Sequence, residues 1–168
     1  SIVMLAQGFG ESGPEGLARD KRLQKLCLDY GAAIVGPNTN GLFNIETGLC
    51  LSIAPILHYQ DRVFLGNVGV ISQSGAMISS LLHEMHKSRV GVRKAVACGN
   101  ELVLSMPNYL VHMCDDEQIN TVVLYIETIR DVELFRKALK YATDTKTKVI
   151  AFKVGQSEQG QKAPLSHT

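Results

Sequence analysis

Two ionisable side chains stand where a phosphoryl-transfer site would need them. His167 follows a polar Gly/Gln/Ser-rich loop, and Glu127 ends the apolar run Val122–Ile126. An imidazole can accept a phosphoryl group, and a carboxylate at a strand end can fix one of its ring nitrogens. Simpler interpretations stay open, because a histidine at a chain end is typically a solvated tail residue. Glu127 is equally well explained as a solvated strand end.

A third candidate is the segment Ile71–Ala76, where an apolar strand runs directly into a helix. Gly75 allows close approach of a ligand to the backbone, and hydroxyls with free N–H groups can hold a phosphate. The candidate phosphate-binding residues are Ser72, Gln73, Ser74, Gly75 and Ala76. A plain serine N-cap is the alternative, because the segment is neither a P-loop nor a G-x-G-x-x-G motif.

A dense turn cluster follows another predicted strand. It consists of Gly36, Pro37, Asn38, Thr39, Asn40 and Gly41. Its backbone and its Asn and Thr groups could contact a ligand, but a bare turn needs no function and is the favoured interpretation. His83 and His86 could share a metal, yet an exposed helical face explains them better. No metal site is predicted.

The elements that must position these residues alternate along the chain. Short apolar runs predict strands at Ile2–Leu5, Ala33–Val35, Val68–Ser72, Lys94–Cys98, Thr121–Ile126 and Val149–Lys153. Amphipathic segments predict helices between them, capped by Ser12 (with Glu15 in a capping box), Ser74 and Asp131, with a poorer helix at Leu102–Met113. The first helix should bury Leu23, Leu26, Cys27 and Tyr30. Residues 45–62 show neither a helical nor a strand periodicity of apolar residues, which predicts a linker. This alternation predicts an α/β fold with parallel sheets and helices on both faces.

Composition excludes several classes of protein. The 168 residues carry 17 Lys+Arg against 16 Asp+Glu, a net charge of +1 without a basic stripe, so nucleic acid is not an expected partner. The sequence has no apolar run long enough for a membrane span, and no membrane partner is expected. Four cysteines without a C-x-x-C motif, all in or beside apolar segments, predict buried free thiols and a cytoplasmic location. Both chain ends look cut, which suggests a piece of a longer protein whose exposed apolar edges favour a homo-oligomer.

The order of the motifs along the chain is similar to that of a known protein family. In sequence they are Gln7–Gly13, Gly36–Gly41, Gly69–Ala76, Gly99–Glu101, Tyr125–Glu127 and Ser166–Thr168. This ordered set resembles the NDP-forming acyl-CoA synthetases, the group of ADP-forming acetyl-CoA synthetases and succinyl-CoA synthetase α-subunits. The resemblance implies that residues 1–62 are the C-terminal half of a Rossmann-like CoA-binding domain plus a linker. Residues 63–168 would be a flavodoxin-like CoA-ligase domain, cut at its C-terminal end.

The resemblance also implies a reversible three-step reaction and a role for each motif. Acyl-CoA and phosphate would give acyl phosphate and CoA, and the phosphoryl group would then pass to a histidine and on to ADP. By position, His167 matches the phosphorylated histidine, Glu127 the glutamate that orients it, and Ser72–Ala76 the phosphate-binding helix start. The CoA site would be lined by Ala6, Gln7, Gly8, Phe9 and the Gly36–Gly41 turn. The implied cofactors are CoA and ADP/ATP with Mg²⁺. An ATP-grasp domain or subunit outside this chain would bind the nucleotide and the metal, so the chain alone is expected to be inactive.

Some positions depart from the family pattern, and two other functions compete. Thr39 stands where the family often has Cys, Leu102–Leu104 replace acidic residues after Glu101, and Ser79 replaces a Tyr of the succinate-using branch. The difference at Ser79 argues against succinate, and the sequence does not name the acyl group. The alternative is a non-catalytic CoA- or acyl-CoA-sensing domain of a protein lysine acetyltransferase, but a sensor needs no pair like Glu127 and His167. A receiver-type flavodoxin-like module would need acidic residues where Ser72 stands.

Overall fold

A computed structural model of the chain describes residues 1–54 and 63–155. Its strands are β1 (Ile2–Val3), β2 (Ile34–Val35), β3 (Gly41–Asn44), β4 (Leu49–Ser52), β5 (Val68–Ser72), β6 (Val92–Ala97), β7 (Thr121–Ile126) and β8 (Lys148–Lys153). Its helices are α1 (Pro14–Asp29), α2 (Gly75–Lys87), α3 (Met106–Cys114) and α4 (Val132–Asp144), preceded by a short 3-10 helix at Gly10–Ser12. The predicted phosphohistidine, His167, lies outside the described residues.

The predicted α/β class with helices on both faces of a mostly parallel sheet is confirmed. Six strands lie in the order β4-β3-β6-β5-β7-β8, and β6, β5, β7 and β8 pair in parallel. Alternate residues of the central strands face opposite sides: Ile71 packs with α3 and α4, whereas its neighbour Val70 packs with α2. This period of two follows from the pleat and explains why the central strands are continuous apolar runs.

The N-terminal segment is less buried than its sequence predicts. Strands β1 and β2 form a separate two-stranded parallel sheet, and Ile2 is exposed rather than buried. On α1 the predicted burial is wrong for Leu26 and Tyr30, which are exposed, and is confirmed for Cys27. The spacing identified the helix, but not which of its apolar residues are covered in the described part of the chain.

The start of α1 differs from the predicted capping box. Gly13 is the N-cap residue, Pro14 stands in the first turn, and no side chain caps the helix. Ser12 belongs instead to the 3-10 helix, whose residue Glu11 accepts hydrogen bonds from the backbone N–H groups of Gly8 and Phe9. The turn before α1 is therefore stabilised by a carboxylate from within the loop.

Part of the predicted linker forms a β-hairpin. Strands β3 and β4 pair antiparallel, and β3 also pairs antiparallel with β6. The linker interpretation is therefore wrong for residues 49–52, while residues 55–62 lie outside the described part. An edge strand with both faces partly exposed shows no clear apolar alternation, which is why β4 was missed. The division into domains at residues 62 and 63 stays a prediction.

Two predicted caps are confirmed, and one helix starts later than expected. The side chains of Ser74 and Asp131 accept hydrogen bonds from the N–H groups of Met77 and Leu134. Helix α3 begins at Met106 instead of Leu102, because Pro107 fits the first turn, where its missing N–H is not needed. The thiols of Cys27, Cys98 and Cys114 are buried and free, whereas Cys50 is exposed on the edge strand β4, which corrects the prediction for that residue.

Gly99 provides a test of how tightly the loop after β6 packs on the turn after β2. Its φ is 62°, and a Cβ atom there would overlap the carbonyl oxygen of Pro37. Gly31 has the same φ of 62° with open space around it. Gly31→Ala should lower the free energy of unfolding only by the roughly 1–2 kcal/mol that the left-handed conformation costs.

Gly99→Ala should cost clearly more, because the two loops must also separate. Denaturant unfolding of both variants measures the difference. Equal losses would show that the contact with Pro37 contributes nothing.

Candidate functional site

The candidate site lies at the edge of the sheet where the parallel strands end. Ser72 pairs with Ala97 on one side and with Tyr125 on the other, so the loops that follow β5, β6 and β7 begin at the same level. These loops contain Gln73, Gly99–Glu101 and Glu127–Arg130. The carboxyl edge of a parallel sheet is the usual place for a ligand, because helix N-termini also point there.

Gln73 connects two of these loops through its side-chain amide. Its Oε1 accepts hydrogen bonds from the backbone N–H groups of Glu127 (2.7 Å) and Thr128 (2.9 Å). Its Nε2 donates to the carbonyl of Thr128 (2.8 Å) and to Oε2 of Glu101 (2.9 Å). Every hydrogen of the amide nitrogen is therefore used within the protein.

Glu101 is a buried carboxylate at the centre of the edge. Its side chain is 3% exposed, and its Oε1 accepts a hydrogen bond from the N–H of Met106 (2.8 Å) at the start of α3. Burial raises the pKa of Glu101 above its ordinary value, against the lowering effect of the hydrogen bonds from Met106 and Gln73. Burial, together with the nearby negative charge of Glu101, also raises the pKa of the Cys98 thiol.

Asn100 joins this edge to the N-terminal loops. Its side chain donates to Oε2 of Glu11 and accepts from Nδ2 of Asn38 (3.3 Å), and its N–H donates to the carbonyl of Pro37 (2.9 Å). Burial acts to raise the pKa of Glu11, but the hydrogen bonds from Asn100 and from the amides of Phe9 and Gly8 outweigh it and lower this pKa. The loop after β6 thus holds two predicted CoA segments in place.

The turn at Gly36–Gly41 is fixed by its own side chains. Thr39, which is buried, donates to the carbonyl of Ala97 and accepts from the N–H of Gly41 (2.9 Å). Asn40 donates to the carbonyl of Gly75 (2.8 Å) at the start of α2. These contacts bring the predicted CoA turn against the predicted phosphate-binding helix start.

The start of α2 keeps two donors available. Ser74 caps the helix by accepting from Met77 (3.4 Å), and Ser72 donates to the carbonyl of Ser74 (2.7 Å). Within residues 1–54 and 63–155, the N–H groups of Gly75 and Ala76 have no protein acceptor. Two free N–H groups at a helix start can bind an anion.

Glu127 lies beside positive charge. Its carbonyl accepts from Nζ of Lys153 (2.9 Å), and Arg130 stands three residues further on, 3.6 Å from Glu101 and 61% exposed. No side chain of the described ranges donates to the carboxylate of Glu127, which leaves it available to orient a ligand or a histidine. The structure thus brings Glu127 to the same edge as Ser72–Ala76 and the Gly36–Gly41 turn.

The remaining predicted positions lie on the N-terminal loop. The carbonyl of Ala6 accepts from the N–H of Asn38 (2.9 Å), and Gln7 is exposed. The N–H groups of Gly8 and Phe9 are already bound to Glu11. Sequence reasoning missed Glu11, Asn100 and Glu101 as the residues that hold these loops together. The quoted motifs contain all three, but nothing in their residue types shows which partners they meet.

The sequence matches a known domain family. Residues 65–168 match the model of the succinyl-CoA ligase like flavodoxin domain. The chain therefore belongs to the NDP-forming acyl-CoA synthetase family, as the order of its motifs predicted.

Two relatives illustrate this membership. The α-subunit of the ADP-forming acetate–CoA ligase II of Pyrococcus furiosus is 34% identical over 167 residues, which cover 99% of this chain and 35% of that protein. The ADP-forming 4-hydroxybutyrate–CoA ligase of Nitrosopumilus maritimus is 29% identical, over 99% of this chain and 24% of that protein.

Among solved structures, the dinucleotide-forming acetyl-coenzyme A synthetase 1 of Ca. Korarchaeum cryptofilum, in complex with phosphate and ADP, superimposes with a TM-score of 0.83. It is 27% identical, and the match covers 98% of this chain and 34% of that one. The chain thus spans about a third or less of the length of these relatives.

Two further findings concern the described residues only. They contain no helix that is both long and apolar enough to cross a membrane. They also contain no group of three or more His, Cys, Asp and Glu side chains placed to hold a metal ion.

The raised pKa of Glu101 predicts how pH changes stability. Below the ordinary glutamate pKa of 4.5, Glu101 is protonated in both the folded and unfolded chain. As the pH rises from there through the raised pKa, the folded state keeps a proton that the unfolded state has released, so stability falls. The free energy of unfolding of the wild type, relative to Glu101→Gln, should therefore decrease across this window and then level off.

Denaturant unfolding at a series of pH values measures this difference. Glu117→Gln is the matched control, because it removes the same charge from an exposed position before β7. A difference between wild type and Glu101→Gln that is flat with pH would contradict the assignment.

Proposed function

We propose that the chain is the CoA- and phosphate-handling part of an ADP-forming acyl-CoA synthetase. The enzyme would interconvert acyl-CoA, NDP and phosphate with a carboxylic acid, CoA and NTP, through acyl phosphate and phosphohistidine. One observation carries this proposal: Glu127, the free N–H groups of α2 and the Gly36–Gly41 turn share one edge of the sheet, in a chain of this family.

In the first step, an oxygen of phosphate attacks the acyl carbonyl carbon and the bond to the sulfur of CoA breaks. The free N–H groups of Gly75 and Ala76 fit this role, because they can bind phosphate oxygens and stabilise their charge. The side chain of Gln73 has no donor left for phosphate, so this residue would contribute differently. CoA supplies the thiol, and the Gly36–Gly41 turn with exposed Ala6 and Gln7 would bind it.

In the second step, a ring nitrogen of His167 attacks the phosphorus, and the bond to the acyl oxygen breaks to release the carboxylate. Glu127 would hold the other ring nitrogen, which keeps the attacking nitrogen unprotonated and stabilises the charged imidazole. The phosphoryl group then passes from His167 to ADP. The nucleotide and Mg²⁺ would be bound by an ATP-grasp domain or subunit outside this chain.

The names of the relatives support a partner subunit for this chain and do not support the CoA-sensing alternative. The Pyrococcus furiosus relative is named a subunit α, which supports a partner subunit or domain for this chain. The relatives named above are ligases, and no observation favours the CoA-sensing alternative. Acetate and 4-hydroxybutyrate occur in their names, so a small carboxylic acid is the proposed substrate class. Cytoplasmic location and homo-oligomer formation stay predictions.

The phosphohistidine mechanism can be tested on the complete enzyme that contains this chain. With Mg²⁺ and γ-labelled ATP, the wild type should acquire an acid-labile, base-stable phosphate on His167 that ADP removes. His167→Ala should abolish the label. Glu127→Gln should slow labelling by about 100-fold, because the imidazole loses its orienting partner.

Glu117→Gln serves as the matched control, since it changes an exposed glutamate ahead of β7. It should label like the wild type. An unlabelled wild type that binds both ATP and CoA would refute the mechanism.

A further inference from the structure

We propose that Gln73 is a positioning residue for Glu127 and that Glu101 holds the Gln73 amide in the required orientation. The inference rests on the proposed function, in which Glu127 orients the histidine. It assigns Gln73 a role other than the phosphate binding expected from its position.

The backbone of residue 127 is held on both sides. Its N–H donates to Oε1 of Gln73 at 2.7 Å, and its carbonyl accepts from Nζ of Lys153 at 2.9 Å. Thr128 is held in the same way, with its N–H (2.9 Å) and its carbonyl (2.8 Å) both bonded to Gln73. Fixing both peptide groups limits the directions in which the Glu127 side chain can leave the strand end.

Only one orientation of the Gln73 amide satisfies these contacts. Oε1 faces two N–H groups, and Nε2 faces a carbonyl and a carboxylate. A rotated amide would place hydrogens against hydrogens on one side and oxygen against oxygen on the other. The partners therefore fix the amide, and the amide fixes the segment.

Glu101 supplies the acceptor that makes this orientation firm. Its carboxylate is almost fully buried, and Oε1 is bonded to the N–H of Met106. Oε2 accepts from Gln73 at 2.9 Å and also lies 3.6 Å from Nε of Arg130. Its backbone adopts a φ of 54°, which is uncommon for a residue with a side chain. The surrounding loop thus holds Glu101 in an unfavourable conformation that directs its carboxylate to Gln73.

In the complete enzyme, positioning and phosphate binding by Gln73 can be distinguished, because the first affects the rate of His167 phosphorylation and the second affects the KM for phosphate. Gln73→Ala should slow phosphorylation of His167 at saturating Mg²⁺ and γ-labelled ATP by roughly 10- to 100-fold. The KM for inorganic phosphate in the acyl-CoA direction should stay unchanged. Hydrogen exchange of the amides of Glu127 and Thr128 should become faster. Gln118→Ala, an exposed glutamine before β7, is the matched control and should change none of the three.

Exchanging the side chains of residues 73 and 101 tests the role of Glu101. Recovery of the rate in the double variant would also show that the single variant is not simply misfolded. Gln73→Glu keeps the acceptor for Glu127 but places a second carboxylate against Glu101, and labelling should slow. Adding Glu101→Gln restores a donor between positions 73 and 101, so the double variant should recover part of the lost rate. A ligand for phosphate would show no such recovery.

Three outcomes would overturn the inference. A raised phosphate KM with a normal labelling rate in Gln73→Ala would make Gln73 a phosphate ligand. Unchanged hydrogen exchange at Glu127 and Thr128 would show that Gln73 does not hold the segment. A double variant no faster than Gln73→Glu would remove Glu101 from the arrangement. An unlabelled wild type would instead refute the proposed function itself, and this inference with it.

Discussion

The register of β5 between β6 and β7 is the constraint on which the candidate site depends. Because all three strands run in parallel and Ser72 is level with both Ala97 and Tyr125, three loops begin at one height on one edge. A slip of one residue would exchange Val70 and Ile71 between the face packed against α2 and the face packed against α3 and α4, so the close packing of each side chain in its own cluster opposes the slip. The packing of the apolar core thus determines where the polar loops meet.

Amide groups, more than charged pairs, then set the arrangement within that edge. Gln73, Asn100 and Asn40 each bond to a neighbouring loop or helix start, and an amide can donate and accept in fixed directions. The carboxylates that they meet, Glu11 and Glu101, also accept from backbone N–H groups. In a partly buried network where each group has partners, breaking one bond leaves another group unpaired, and this stabilises the arrangement.

The sequence predicted the central strands well because most of their residues are buried. The continuous apolar runs of β5 and β7 and the caps at Ser74 and Asp131 are local patterns, which a single sequence shows. The exposed stripe of α1, the hairpin β3–β4 and Cys50 were misjudged, because edge position depends on which strands become neighbours. The positions of Glu127 and Ser72–Ala76 at one edge followed from topology. The bonds of Gln73 to Glu101 and Glu127 did not, since they join residues 28 and 54 positions apart.

The hairpin β3–β4 has a consequence for how such chains can be recombined. Its first strand pairs with β6, so residues from the N-terminal segment complete the sheet that carries the helix start of α2. If two related proteins were recombined at a point between β4 and β5, the hairpin of one protein would have to pair with β6 of the other. The register and packing of these strands would then have to match between the two proteins. A junction ahead of Gly41 would keep hairpin and sheet together. The position at which related chains can be joined therefore depends on the hydrogen bonds of the sheet.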